Sequence, residues 1–223
     1  MRKKILVIVA SLLVLFFSLR DLGYIFISLP VFILLAYSIS NLITELIDKK
    51  KNRIKKEKDF EYLFLFGLVP FLLFGKYYEN TIGGYELFWK LAFTSIIFTG
   101  VTILVLNFLY NFNSHKKRNN ILSIVIFFFF LVPAIGILIN KQFTTGTDRK
   151  EKIEINRKYI NKGSRGSESY EIFIKTRFDE DERLEISENL YKNISDNQIV
   201  ELNLSRGILG YDYVEKVKKY NSY

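Results

Sequence analysis

The chain has no cysteine, one histidine, three prolines and one tryptophan among its 223 residues. The missing cysteine excludes a disulfide, a thiol nucleophile and a thiolate metal site. With His115 as the single histidine, a Ser-His-Asp triad, a paired-histidine zinc site and an H-E-x-x-H helix are also excluded. No G-x-x-x-x-G-K-[ST] loop is present. Gly163-Ser-Arg-Gly-Ser167 has the composition of a phosphate cradle but no strand-to-helix context, so it reads as a hairpin tip. The long apolar runs lack charge at mid-depth, where proton relays and ion pathways leave a buried ionisable group. Glu45, Glu61 and Lys90 all fall near run ends.

What is present is apolar sequence, 49% of the chain, with 16% aromatic residues and a mean hydropathy of +0.13. It is concentrated before residue 141. Runs 5–19, 22–47, 60–74, 87–112 and 121–140 are expected to form five transmembrane helices in a domain spanning 1–140. The first run follows Arg2, Lys3 and Lys4 as a signal peptide would. No small-x-small cleavage site follows, and Arg20-Asp21 leads at once into the next run, so it is expected to be retained. Tyr77, Tyr78, Tyr85 and Trp89 suit an aromatic belt at the outer interface.

Positive charge fixes the expected orientation. Lys49, Lys50, Lys51, Arg53, Lys55, Lys56 and Lys58 crowd one inter-span loop, and Lys116, Lys117 and Arg118 another. With five spans, both loops and the basic start fall on one side, which the positive-inside bias makes cytoplasmic. These cations are expected to set topology and to touch anionic headgroups. Residues 1–140 hold 16 Lys+Arg against 8 Asp+Glu, whereas residues 141–223 hold 16 against 15. The formal +9 therefore belongs to membrane-flanking loops, and no nucleic-acid partner is expected.

In the fourth run Ala92, Ser95, Thr99 and Thr102 are spaced to share one helix face. Small and hydroxylated residues there suit close helix packing, or else the wall of a polar pathway.

After 141–150, read as a polar linker, the period changes. Ile153 and Ile155, then Tyr170, Ile172 and Ile174, alternate with polar residues, as half-buried strands do. Further short strands are expected from Leu184, from Ile199 to Leu204 and from Tyr211 to Val217, with a helical turn over 187–194. Residues 151–223 are thus expected to form a small, mostly antiparallel β domain, a curled sheet or a small barrel of OB or SH3 size, on the extracytoplasmic side. The acidic turn Asp179, Glu180, Asp181, Glu182 and Glu185 lacks EF-hand spacing and reads as solvated.

These features lead to an expected non-enzymatic, multi-pass protein of the cell membrane, with the β domain displayed for protein or envelope interactions. The partners expected are the lipid bilayer and a protein bound through the C-terminal domain, with no cofactor. The alternatives are a small transporter or channel component using the Ala92–Thr102 face, and a membrane enzyme acting on lipid.

Overall fold

A computed structural model of the chain describes residues 2–18, 25–48, 57–112, 116–145, 149–162, 168–179 and 181–220. The chain divides into two compact units, one of residues 1–72 and 90–134, the other of residues 73–89 and 135–223.

The first unit is helical. It contains α1 (Arg2–Ser18) and α2 (Ile25–Asp48), together with most of α3 (Leu63–Phe74), α4 (Gly84–Leu109) and α5 (Lys117–Gln142). Among the described residues three helices, not the expected five, are long and apolar enough to cross a membrane: Phe26–Ile47, Gly84–Leu109 and Lys117–Gln142. The physical reason is length. At about 1.5 Å per residue, the 17 residues of α1 reach about 25 Å and the 12 of α3 about 18 Å, against a hydrocarbon core of about 30 Å. The expected run at 60–74 begins its helix only at Leu63, and the Phe60 N–H before it donates to Asn120 Oδ1 at 2.8 Å. Asn120 itself belongs to α5, which begins at Lys117, earlier than its apolar run. The polar residues simply continue the helix.

Close packing inside this unit has identifiable causes. Lys4 Nζ meets Glu45 Oε2 at 2.7 Å and Ser28 Oγ donates to Ser18 Oγ at 2.9 Å, so α1 and α2 run antiparallel. Gly67 lets α3 approach α5, since a Cβ there would lie 2.4 Å from the Phe127 carbonyl oxygen. Phe32 is fully buried against Phe93 and Phe129. Two short strands, β1 (Glu57–Lys58) and β2 (Asn111–Phe112), pair in parallel.

The second unit is a curled, open antiparallel sheet of five strands. They are β3 (Arg149–Lys162), β4 (Glu168–Ile174), β5 (Glu182–Ile186), β6 (Ile199–Arg206) and β7 (Asp212–Lys219), in the order β5-β4-β3-β6-β7. The curl has a register cause. The 14-residue β3 pairs with β6 through residues 149–154 and with β4 through 155–162, with an irregularity between Ile155 and Arg157. One long strand thus serves two sheets that turn about its middle, as bulged strands do. The short α6 (Glu188–Asn193), capped by Ser187 Oγ accepting from the Leu190 N–H, joins β5 to β6.

The sheet closes over Ile155, Ile172, Ile174, Leu184, Val200, Leu202, Leu204 and Val214. Ile82 joins this core from the segment between α3 and α4, where Gly75–Asn80 form a 3-10 helix. Residues 141–150, read from sequence as linker, hold the last turn of α5, a bridge from Thr144 to Gly207, and the first residues of β3.

Candidate functional site

The second unit gathers its unusual chemistry where residues 77–86, the end of α5 and the sheet meet. The sequence dictates that meeting. Thr81 Oγ1 donates to the Tyr77 carbonyl at 2.7 Å, and the Gly84 N–H donates to the Thr81 carbonyl at 2.8 Å, forming a tight turn into α4. Gly83 supplies φ 76°, a left-handed backbone that glycine adopts without cost. The turn presents backbone to β7: Thr81 bridges Tyr213, and the Ile82 N–H donates to the Asp212 carbonyl at 2.8 Å.

Side chains complete the junction. Asn140, fully buried, donates from Nδ2 to the Tyr211 carbonyl at 3.1 Å and accepts from the Leu209 N–H at 3.1 Å. The Tyr211 hydroxyl donates to Glu86 Oε1 at 3.1 Å. Arg183 reaches Glu79 at 3.0 Å. Lys141 Nζ lies 3.8 Å from the Tyr77 ring centroid and 4.8 Å from that of Tyr213, a cation held between two aromatic faces. Trp89 is only 4% exposed. Of the aromatic residues expected at the outer interface, Tyr77 contacts the sheet, while Tyr78 packs on Phe88 and Tyr85 on Trp89.

Glu182 is its central acid. Oε1 accepts from the Gly83 N–H, and Oε2 accepts from the Thr176 hydroxyl at 2.6 Å. Burial pushes this carboxyl above its ordinary value of 4.5, while those two hydrogen bonds oppose the shift. The folded state therefore holds the proton more tightly than the unfolded chain does. Stability from this group is present below pH 4.5 and is lost as pH rises through the raised value. Glu182→Gln, which keeps an acceptor for Gly83 without the charge, is expected to gain thermal stability relative to the parent as pH climbs above 4.5. Melting curves of both proteins in detergent check this, and a difference constant with pH would refute it.

Beside the junction lies a cleft of about 520 Å³. Among the described residues its walls carry Arg149, Lys152, Lys175, Arg177, Glu151 and Asp212, with Ile82 and Ile153 as apolar lining. Arg149 pairs with both carboxylates, at 3.0 Å each. Sequence reasoning missed this cleft, though a signal exists. Arg149 and Glu151 share the parity of Ile153 and Ile155, so the core-facing side of β3 begins polar. Asp212 likewise shares the parity of Val214 and is 4% exposed.

No family model, curated protein or solved structure matches this chain. The reading of the site therefore rests on its own geometry.

The residues singled out from sequence lie in the other unit. Ala92, Ser95 and Thr99 are buried and Thr102 is half-buried. Ser95 Oγ donates to its own helix, at the Ala92 carbonyl, 2.6 Å away. Lys49, Lys50, Lys51, Arg53, Lys55 and Lys56, like His115, lie outside the described residues. Lys58 stands in β1. Lys116 is exposed and bridges Asp59 and Glu61 at 2.9 Å each, hydrogen bonds that hold both carboxyls below their usual range. Lys117 is half-buried and Arg118 exposed. The acidic turn is dispersed: Asp181 meets Asn156 and Arg157, while Glu182 turns into the junction. Among the described residues no group of three or more His, Asp or Glu is placed to hold a metal ion.

Proposed function

We propose that this chain is a non-enzymatic, multi-pass protein of the cell membrane that presents its sheet on the extracytoplasmic face for protein or envelope contacts. One observation carries the reading. The sheet incorporates the Thr81–Gly83 turn, which leads into α4, and Asn140, in the last turn of α5, and both helices are long and apolar enough to cross a membrane. A sheet that takes Ile82 from before α4 into its core and clasps Tyr211 with Asn140 is a folded surface, which suits contact with a partner. The two basic loops share a side only when α3 also crosses, a reading supported by the pairing of β1 with β2 and the Lys116 bridges to Asp59 and Glu61, and the positive-inside bias then favours the cytoplasm for that side. The burial of Ala92, Ser95 and Thr99, and the Ser95 bond to its own helix, favour a packing seam over a transport pathway.

The absence of cysteine makes the topology directly testable. A membrane-impermeant maleimide applied to intact cells is expected to label a Ser195→Cys variant. An Arg118→Cys variant should react only after permeabilisation. The reverse pattern would overturn the proposed orientation. A photo-crosslinking residue at the exposed Tyr159 position then tests display, with adducts to a protein or envelope polymer as the expected result. Lipid turnover by the purified protein would overturn the non-enzymatic reading.

A further inference from the structure

An exposed apolar surface runs from the end of α5 onto the turn between β6 and β7. Ile135, Ile139 and Phe143 recur every fourth residue, so they share one helix face, and all three are exposed. Phe143 continues the helical bonding, since its N–H donates to the Ile139 carbonyl at 3.0 Å. Its own carbonyl accepts from the Ile208 N–H at 2.8 Å, which brings the tip of the turn against it. Phe143 is 61% exposed, Ile208 54% and Leu209 40%. Single exposed apolar side chains are ordinary, but a connected surface of them marks a contact. The backbone of the tip is also closed to water. The Gly207 N–H donates to the Tyr211 carbonyl at 3.0 Å, the Leu209 N–H to Asn140 Oδ1 at 3.1 Å and the Gly210 N–H to the Gly207 carbonyl at 2.9 Å. With the Ile208 bond, each N–H from Gly207 to Gly210 has an acceptor within the protein. A loop that stays in water has no need of that, whereas a loop entering lipid does.

We infer that the β6–β7 turn dips into the membrane interface, with Phe143, Ile208 and Leu209 seated among acyl chains next to the lipid headgroups. The inference rests on the proposed membrane crossing of α5. The apolar run of that helix, 121–140, covers about 30 Å at about 1.5 Å per residue, the thickness of a hydrocarbon core. Its end, and the turn bonded to it through Asn140 and Phe143, therefore fall at the boundary between hydrocarbon and headgroups. Lipid is the occupant that this surface suits, because Ile139 and Ile135 carry it without a break onto the side of the helix within the bilayer. A protein strand adding to the turn would need free backbone donors there, and those of the tip are already engaged. Insertion gives the displayed sheet a hold on the bilayer through its own side chains, besides its covalent links to helices.

The lack of cysteine lets the test use single-cysteine variants of the full chain, each carrying a nitroxide and reconstituted in vesicles of phosphatidylcholine and phosphatidylglycerol. The relaxation of each label is compared in oxygen, which concentrates in lipid, and in a water-soluble nickel chelate. Ile208→Cys and Leu209→Cys are expected to favour oxygen over nickel several-fold more than Ser195→Cys does. Ser195 is exposed and precedes β6, at the far end of that strand from the turn. Ile135→Cys reports on α5 itself. Oxygen preference at Ile135 with aqueous values at both turn positions would overturn this inference alone. Aqueous values at all three would overturn the membrane crossing with it. Shielding of the turn positions from both reagents means that protein covers them, and that also overturns the inference. The unlabelled parent supplies a second measurement in case a label disturbs the turn. A phospholipid with a diazirine high on its acyl chain is expected to form adducts within residues 206–210. Adducts confined to the helices would refute the insertion.

Discussion

Gly207→Ala is expected to cost about 3 kcal/mol, through overpacking against atoms that have no room to retreat. A Cβ at Gly207 would lie 2.2 Å from the Asn140 backbone oxygen and 2.2 Å from its side-chain oxygen. The first of these is fixed in α5, and the second is already committed to the Leu209 N–H. Gly210, in the same turn, makes the control. It has φ 85° and nothing within 4 Å of a built Cβ, so its substitution carries only left-handed backbone strain, about 1 kcal/mol. Hydrogen exchange of the β6 and β7 amides in the full-length protein checks the ranking. If Gly210→Ala proves the more damaging, steric fit to α5 is not what holds this turn.

Ile82→Ala is expected to destabilise the sheet by about 3 kcal/mol, the transfer and cavity cost of truncating a buried isoleucine. Ile82 is 6% exposed and lies in the same cluster as Leu202, Leu204 and Val214. A stronger form of the prediction concerns residues 141–223 alone. That fragment lacks Ile82, the Thr81 bridge to Tyr213, and the carboxylates of Glu79 and Glu86 that meet Arg183 and Tyr211. It is expected to give poorly dispersed amide resonances and weak exchange protection. A peptide covering residues 74–87, added in trans, should restore part of both. A fragment that is fully protected by itself would show that the 73–89 segment merely rests on a finished sheet.

The strands were legible because period-two alternation is local information. Ile153 and Ile155, Ile172 and Ile174, and Val200, Leu202 and Leu204 all face the core. Apolar runs were legible as helices too, but not their ends. Lys117 to Asn120 extend α5 beyond its apolar run, and α3 begins at Leu63 rather than Phe60. The junction was illegible for a different reason. Its members come from residues 77–86, 140–141, 176–183 and 207–213, and no local pattern relates them. Tyr77 reads from sequence as an interfacial aromatic, and nothing local announces its contacts with Lys141 and Tyr213. The cleft stood halfway: Arg149 and Asp212 occupied core-facing positions, and a charge at such a position is a signal in itself.

A sheet assembled from residues 73–89 and 135–223 also has an order of events built into it. The plug, Ile82, is synthesised long before β6 and β7 exist, so the core closes only when the last strand has emerged. Contacts of such sequence separation are slow to form, because a long loop must be closed before any of them rewards it. If α4 and α5 cross a membrane in the proposed orientation, closure further requires that the turn before α4 and the chain after α5 reach the same side of it. A helix inserted the wrong way round would then leave the sheet without Ile82 and without the Thr81 bridge to Tyr213. Such a product displays the features by which quality-control proteases recognise failure. Completion of the sheet thereby becomes a check on the threading of the helices that precede it.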